Sequence, residues 1–293
     1  MTGQWEQPVQ VTSTGRFVLV GTPIGNLGDI SPRAVQALTD ASIVACEDTR
    51  RTGRLLSHLG IPSPTYVVVN EHTEAEATVR ILDELQRGEC VALVSDAGMP
   101  GISDPGEFLV TQAIAAGVTI EVVPGPSAVL HALVLSGLAS TRFVFEGFLP
   151  RKGSSRTSHL REISEERRTV VLFEAPHRLA RTLADLAAAC GGERKIVLAR
   201  ELTKMHEEIW RGSLDESVLH TATVDPRGEY VLVLEGAPER PDATDSELLE
   251  ALEQAREGGL SNRDSVEQVA GLFSVSRRRV YGLAIKVSAS KGK

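Results

Sequence analysis

Aromatic side chains are scarce: Phe, Trp and Tyr make up 4% of the 293 residues. A core must therefore be built mainly from Val, Leu, Ala and Ile, and a chain that is 42% hydrophobic has enough of them for two domains. Cysteine is scarcer, with Cys46, Cys90 and Cys190 far apart and odd in number. That argues against a disulfide framework and against CxxC metal sites, and it suits a reducing cytosol. Long hydrophobic runs are missing. The longest nearly apolar stretch, 128–139, is broken by His131 and falls short of the ~20 residues a membrane span needs. The opening MTGQWEQPVQVTSTGR has no basic segment followed by an apolar one, so no signal peptide is expected and a cytoplasmic protein is. The seven histidines form no HxH or HExxH spacing, so no metal site is expected. No GxSxG elbow, GxxxxGK[ST] loop or GxGxxG fingerprint occurs; GTPIGNLG lacks the lysine that would reach phosphates. The formal net charge of -8 is not that of a protein that coats nucleic acid, although 274–293 and 151–168 are locally basic.

What is present is an alternation of short apolar strands and helices. Strands are expected near 16–21, 42–46, 66–69, 91–95 and 118–123, and helices near 33–39, 51–59, 74–87 and 107–116. The strands show no polar/apolar alternation, which is the pattern of a parallel sheet buried on both faces. Ligands of such sheets sit beyond the carboxyl ends of the strands. The loops that leave those ends are rich in Gly, Pro, Ser and Asp: 22–31, Glu47-Asp48-Thr49-Arg50, Glu71-His72, LVSDAGMPGISDPG at 93–106 and PGPSA at 124–128. Such loops suit a ligand held by backbone groups, with glycines allowing close approach.

A second α/β run follows, with strands expected near 143–145, 169–173, 196–199 and 229–234, a further candidate strand at 206–211, and helices near 157–166 and after Arg178. APERPDAT, 237–244, reads as a linker. Beyond it three helical patterns, 247–257, 263–272 and 277–286, have the apolar spacing of a helix-turn-helix. The expected division is a flexible lead (1–15), an N-terminal α/β domain (16–138), a C-terminal α/β domain (139–237), the linker (238–244) and a helical extension with a basic tail (245–293).

In chain order, LVGTPIGNLGDIS, EDTR, NEH, VSDAGMPGISDPG, VPGPSA, FEGFLPRKG, FEAPHR, ARELTKMHEE and GEYVLVLEG closely resemble the ribosomal RNA small subunit methyltransferase I family, of the tetrapyrrole-methylase-like class. The resemblance runs from about Phe17 to Gly236. It implies an α/β protein with two domains of tetrapyrrole-methylase type and S-adenosylmethionine in the cleft between them. It also implies a homodimer and 2′-O-methylation of a cytidine in the decoding region of 16S rRNA; the acidic net charge favours a pre-shaped substrate, 16S rRNA within the 30S subunit, over promiscuous RNA binding. On matching motifs the cofactor falls to Asp96, Ala97, Gly98, Met99, Ile102, Ser103, Pro124, Ser127 and Ala128, with Leu149, Ala175 and Ala199 closing over it. Charge concentrated at strand ends makes Glu201, Lys204, Glu174 and His177 candidates for handling the hydroxyl proton. Arg50, Arg151, Lys152, Arg178 and Arg200 are candidates for holding phosphates. Two other readings stay open: a corrin or porphyrin C-methyltransferase of the same fold, and a ligand-sensing regulator that binds nucleic acid through the terminal helices.

Overall fold

The computed structural model describes residues 15–70, 72–238, 243–273 and 275–290, with only the backbone over 286–290. Glu71, the expected lead before Gly15, most of the expected linker and the tail lysines Lys291 and Lys293 lie outside the described residues. The chain divides into two compact units, Met1–Ala237 and Pro238–Lys293.

The larger unit is built on two sheets. The first contains β1 (Arg16–Val20), β2 (Ile43–Cys46), β3 (Thr65–Val68), β4 (Cys90–Leu93) and β5 (Ile120–Val123), in the order β3-β2-β4-β1-β5 with every pair parallel. Successive residues of a strand face opposite sides, so each strand feeds two cores. Phe17, Leu19, Ala45, Val91 and Leu93 pack with α3 (Glu74–Gln86) and α4 (Glu107–Ala115). Val18, Val20, Val44, Cys46 and Ala92 pack on the other face with α1 (Pro32–Asp40) and α2 (Thr49–His58). The polar residues that end the strands also start the helices: the Ser31 side chain accepts from the Ala34 amide with Pro32 next in line, and Asp48 accepts from the Arg50 amide.

The second sheet contains β6 (Phe143–Phe148), β7 (Thr169–Glu174), β8 (Lys195–Arg200), β9 (Glu208–Ser213) and β10 (Tyr230–Leu234), in the order β6-β7-β10-β8-β9. Only β6 and β7 run parallel; β10 is antiparallel to both neighbours, and β9 to β8. One face packs on α6 (Gly153–Glu165), α7 (Pro176–Cys190) and α8 (Leu214–Thr223). The other is covered by α5 (Ala128–Ser136), through Val129, Ala132 and Leu133. Helix α5 leaves the first sheet directly after β5 and lies on the second, which ties the two sheets into one unit.

Two elements differ from the expectation. Helix α6 starts at Gly153, four residues before the expected 157, and α8 was not anticipated. The signal for α8 was a capping box: the Ser213 side chain takes the Glu216 amide and Glu216 returns to the Ser213 amide.

The smaller unit packs α9 (Asp245–Glu257), α10 (Asn262–Leu272) and α11 (Arg277–Ser290) around Leu248, Leu252, Val269, Val280 and Ala284. Of the three arginines opening α11, Arg277 pairs with Glu267 and Arg279 with Asp245 inside this unit.

Candidate active site

The carboxyl ends of β1, β4 and β5 converge. Thr22 and Gly98 form an antiparallel bridge between the loops after β1 and β4, with Gly98 at a φ of 86°. Gly21 and Gly125 bring the loops after β1 and β5 into backbone contact; a Cβ on Gly21 would lie 2.6 Å from the Gly125 Cα and 2.7 Å from the Met99 Sδ. Side chains at these positions would force the loops apart. On the far side, the turn after β8 packs on the same region: the Thr203 hydroxyl accepts from the Asn26 amide at 3.0 Å. That turn holds Glu201 and Thr203 at φ of 50° and 63°, a left-handed conformation that side chains resist.

Between these walls lies a cavity of about 640 Å³. One side is the 97–104 loop, the 124–125 segment and the first turn of α5; the other is the ends of β6, β7 and β10. Phe145, Phe148 and Phe173, drawn from a chain poor in aromatics, cluster there, the ring centroids of Phe145 and Phe173 lying 4.9 Å apart. Three carboxylates reach the lining: Asp104, Glu174 and Glu229.

The three differ. Glu174 is 2% exposed and fully engaged: one oxygen accepts from the Ala175 amide and pairs with Arg178 at 3.2 Å, and the other takes the Thr182 hydroxyl. Glu229 pairs with Lys204 at 2.8 Å, and Lys204 also holds Glu201 at 2.9 Å. Burial pulls the Lys204 ammonium down, but the Glu229 and Glu201 carboxylates outweigh it and the net shift is upward. Asp104 makes no ion pair among the described residues. Burial pushes it up to about 6, with the Ser95 hydroxyl pulling the other way. Behind it, Glu47 is pushed up to about 7, first by burial and then by the Asp104 charge. Asp96 is raised as well, by burial, against the opposing pull of Arg51 at 3.3 Å.

Of the residues assigned to a cofactor from the sequence, Ala97, Gly98, Met99, Ile102, Ser103, Pro124, Ser127, Ala128 and Ala175 line the cavity. Asp96, Leu149 and Ala199 do not: Asp96 faces Arg51, the Leu149 carbonyl accepts from Arg178, and Ala199 is fully buried in the core under α5. Of the proton-handling candidates, Glu174 is on the wall, Glu201 and Lys204 stand beside it through Glu229, and His177 is exposed on the first turn of α7. Among the phosphate candidates, Arg50 pairs with Asp48, and Arg200 pairs with Glu208 and donates to the Arg227 carbonyl. Arg151 and Arg178 share a separate pocket, and Lys152 precedes α6. The sequence reading missed Asp104, Phe145, Phe148 and Glu229. Asp104 stood inside the Gly-rich loop already singled out, but its burial is a tertiary property.

The cavity meets what S-adenosylmethionine requires: carboxylates tolerant of a sulfonium, apolar walls for a base, and a helix N-terminus with Gly-rich backbone for a carboxylate. A parallel sheet whose strand-end loops face a second mixed sheet across such a cavity defines the tetrapyrrole-methylase class, and residues 16–217 match the family model for Tetrapyrrole (Corrin/Porphyrin) Methylases. A uroporphyrin-III C-methyltransferase from Thermus thermophilus, solved with S-adenosylhomocysteine, has this fold, with a TM-score of 0.55, 20% identity, and coverage of 75% of this chain and 97% of its own. Among curated proteins, the ribosomal RNA small subunit methyltransferase I of Synechocystis sp. is 44% identical over 277 residues, 94% of this chain and 99% of that protein. The protein of that name from Pseudomonas aeruginosa is 48% identical over 247 residues, 82% of this chain and 86% of its own. The chain belongs to the ribosomal RNA small subunit methyltransferase I family.

Proposed function

We propose that the protein transfers a methyl group from S-adenosylmethionine to the ribose 2′-oxygen of a cytidine in the decoding region of 16S rRNA. The observation that supports this most is the 640 Å³ cavity, where a Gly-rich, Cβ-poor wall that carries Asp104 faces Glu174, Glu229 and an aromatic cluster. When bound, S-adenosylmethionine supplies a sulfonium-linked methyl electrophile. The 97–104 loop and the first turn of α5 hold the donor, while the walls from β6, β7 and β10 leave room for a nucleotide. With donor and ribose bound, the chain's part would be to hold the 2′-hydroxyl in line with the methyl group and to take its proton as the methyl passes from sulfur to oxygen. Alignment of the reacting atoms at roughly 3–3.5 Å supplies much of the rate.

Asp104 is the base we assign. Glu174 has its oxygens committed and Glu229 is held by Lys204, whereas Asp104 among the described residues makes no ion pair, has only the Ser95 hydroxyl as a partner, and is raised to about 6, close to the optimum for a base at neutral pH. The substrate is the assembled 30S subunit, since an acidic chain of net charge -8 suits a pre-shaped target better than indiscriminate RNA binding. The active form is a homodimer in the cytoplasm. Helix α4 leaves Phe108 and Ile114 exposed, apolar side chains suited to a second copy. No helix among the described residues is long and apolar enough to cross a membrane.

The test is methyl transfer from labelled S-adenosylmethionine to 30S subunits from cells lacking this enzyme, followed by nucleoside mass analysis. The expected product is 2′-O-methylcytidine. Label entering a tetrapyrrole, and none entering rRNA, would reverse the assignment.

A further inference from the structure

A second pocket, of about 280 Å³, is lined by Arg151, Arg156, His177, Arg178, Arg181 and Thr182. Its position follows from topology. Strands β6 and β7 are parallel, so α6 and α7, each starting just beyond a strand's carboxyl end, begin at the same end of the sheet. Neither start is capped by a side chain: Lys152 and Ala175 occupy the cap positions and make no such bond, and α7 continues with Pro176. Two positive helix ends therefore meet where the arginines gather.

The pocket is rigidly built. Arg156, 4% exposed, donates to the Pro150 carbonyl at 2.9 Å, to Thr182 and to Asp185. Arg178 donates to the Leu149 carbonyl and pairs with Glu174. These two side chains clamp the 149–152 loop and so fix where Arg151 emerges. The counter-charges are Glu174, taken by Arg178, and Asp185, shared by Arg156 and Arg181. Arg151 makes no ion pair among the described residues and Arg181 is only weakly held, at 3.8 Å. The four arginines thus outnumber their two carboxylates. The Arg178–Glu174 ion pair links this pocket to the methyl-transfer cavity, because Glu174 lines the cavity and Arg178 the pocket.

We infer that this pocket binds a backbone phosphodiester of the RNA substrate and thereby registers the target ribose against the cavity next door. The inference rests on the RNA-methylating reading above. Arg151 and Arg181 supply the mobile charge, the α6 and α7 ends supply fixed dipoles, and Arg156 and Arg178 hold the frame.

The experiment measures kcat and KM for 30S methylation across a salt series for wild type, Arg151→Ala, Arg181→Ala, the double variant, Arg151→Lys, and Arg80→Ala as a control that removes an exposed charge on α3. Both pocket arginines are exposed, so folding is retained, and S-adenosylmethionine affinity by calorimetry verifies it. The double variant is expected to raise KM for 30S about tenfold with kcat within about twofold, and each lost contact should flatten the log–log salt dependence by about 0.7–0.9. Arg151→Lys should recover most of the KM. A double variant whose KM and salt slope match those of Arg80→Ala would overturn the inference while wild-type activity stands. A wild type that methylates no rRNA would instead overturn the functional reading itself.

Discussion

Glu47 sits at the carboxyl end of β2 with its carboxylate half-buried, and the expected result of Glu47→Gln is a protein that is more stable at alkaline pH only. Burial and the Asp104 charge raise Glu47 from 4.5 to about 7, against the Asp96 amide and Arg51, which favour the ionised form. A carboxyl whose folded pKa is raised binds its proton more tightly folded than unfolded. Its stabilising contribution is fully present below pH 4.5 and is lost as pH rises through about 7. The full gap corresponds to roughly 3 kcal/mol. Because the group is only partly buried and solvent screens it, a penalty on the order of 1–2 kcal/mol at pH 8 is the realistic figure. Glutamine keeps the oxygen that accepts from the Asp96 amide at 3.2 Å and removes the charge. Urea unfolding of the cofactor-free protein should therefore show the variant more stable by about 1–2 kcal/mol at pH 8, roughly 2–8 °C in Tm, and nearly equal to wild type at pH 5. An equal gain at both pH values, or a loss at pH 8, would refute the reasoning, since either would mean that the carboxylate's charge is not what burial penalises.

Asp104→Asn should lower kcat by about a hundredfold or more while S-adenosylmethionine affinity holds within a few-fold; wild-type kcat should rise with pH through about 6 and the variant's should not. A variant that keeps wild-type kcat would remove Asp104 as the base. Gly21→Ala should weaken S-adenosylmethionine binding, read by calorimetry, by about tenfold or more, because the new methyl group has only 2.6 Å to the Gly125 Cα and something on the cavity wall must move. Arg194→Met should cost about 3–5 kcal/mol in urea unfolding, because the buried guanidinium donates to the carbonyls of Glu235, Ile163, Ser164 and Glu166 and methionine leaves all four without it.

Much of the first sheet was legible because its signals are local. Ser31-Pro32 announces α1, Gly117 closes α4, and continuous apolar strands report burial on both faces without any knowledge of neighbours. The loops that line the cavity were legible for the same reason: Gly98 and Gly101 supply positive φ, and Gly125 marks a place where backbone must approach backbone closely. What stayed hidden depends on packing between distant segments. Nothing in Ala128–Ser136 says that this helix belongs against the second sheet, since a helix apolar nearly all round is silent about its partners. Asp96 and Asp104 look equivalent in sequence, yet the first meets Arg51 and the second lies on the cavity wall with no ion pair among the described residues. Glu174 ends β7 and Arg178 lies four residues on, in the first turn of α7, a spacing that allows the pair but does not reveal which pockets it bridges. Helix α8 was the avoidable miss, because Ser213-Leu-Asp-Glu216 carries its own start signal.

The place of β10 has a consequence for how the protein is made. It is the last strand of its sheet along the chain and the middle strand in space, between β7 and β8. A chain emerging from the ribosome N-terminus first has all strands of its parallel sheet with Val123, yet any β6–β7 and β8–β9 pairs that form have no strand to join them until Leu234 has appeared. During that interval the inner edges of both pairs are open to pairing with another nascent chain. The insertion of one five-residue strand then closes both edges at once. In the same step it brings Tyr230 and Val231 to the cavity wall, so the site cannot exist before the sheet is safe from misassembly.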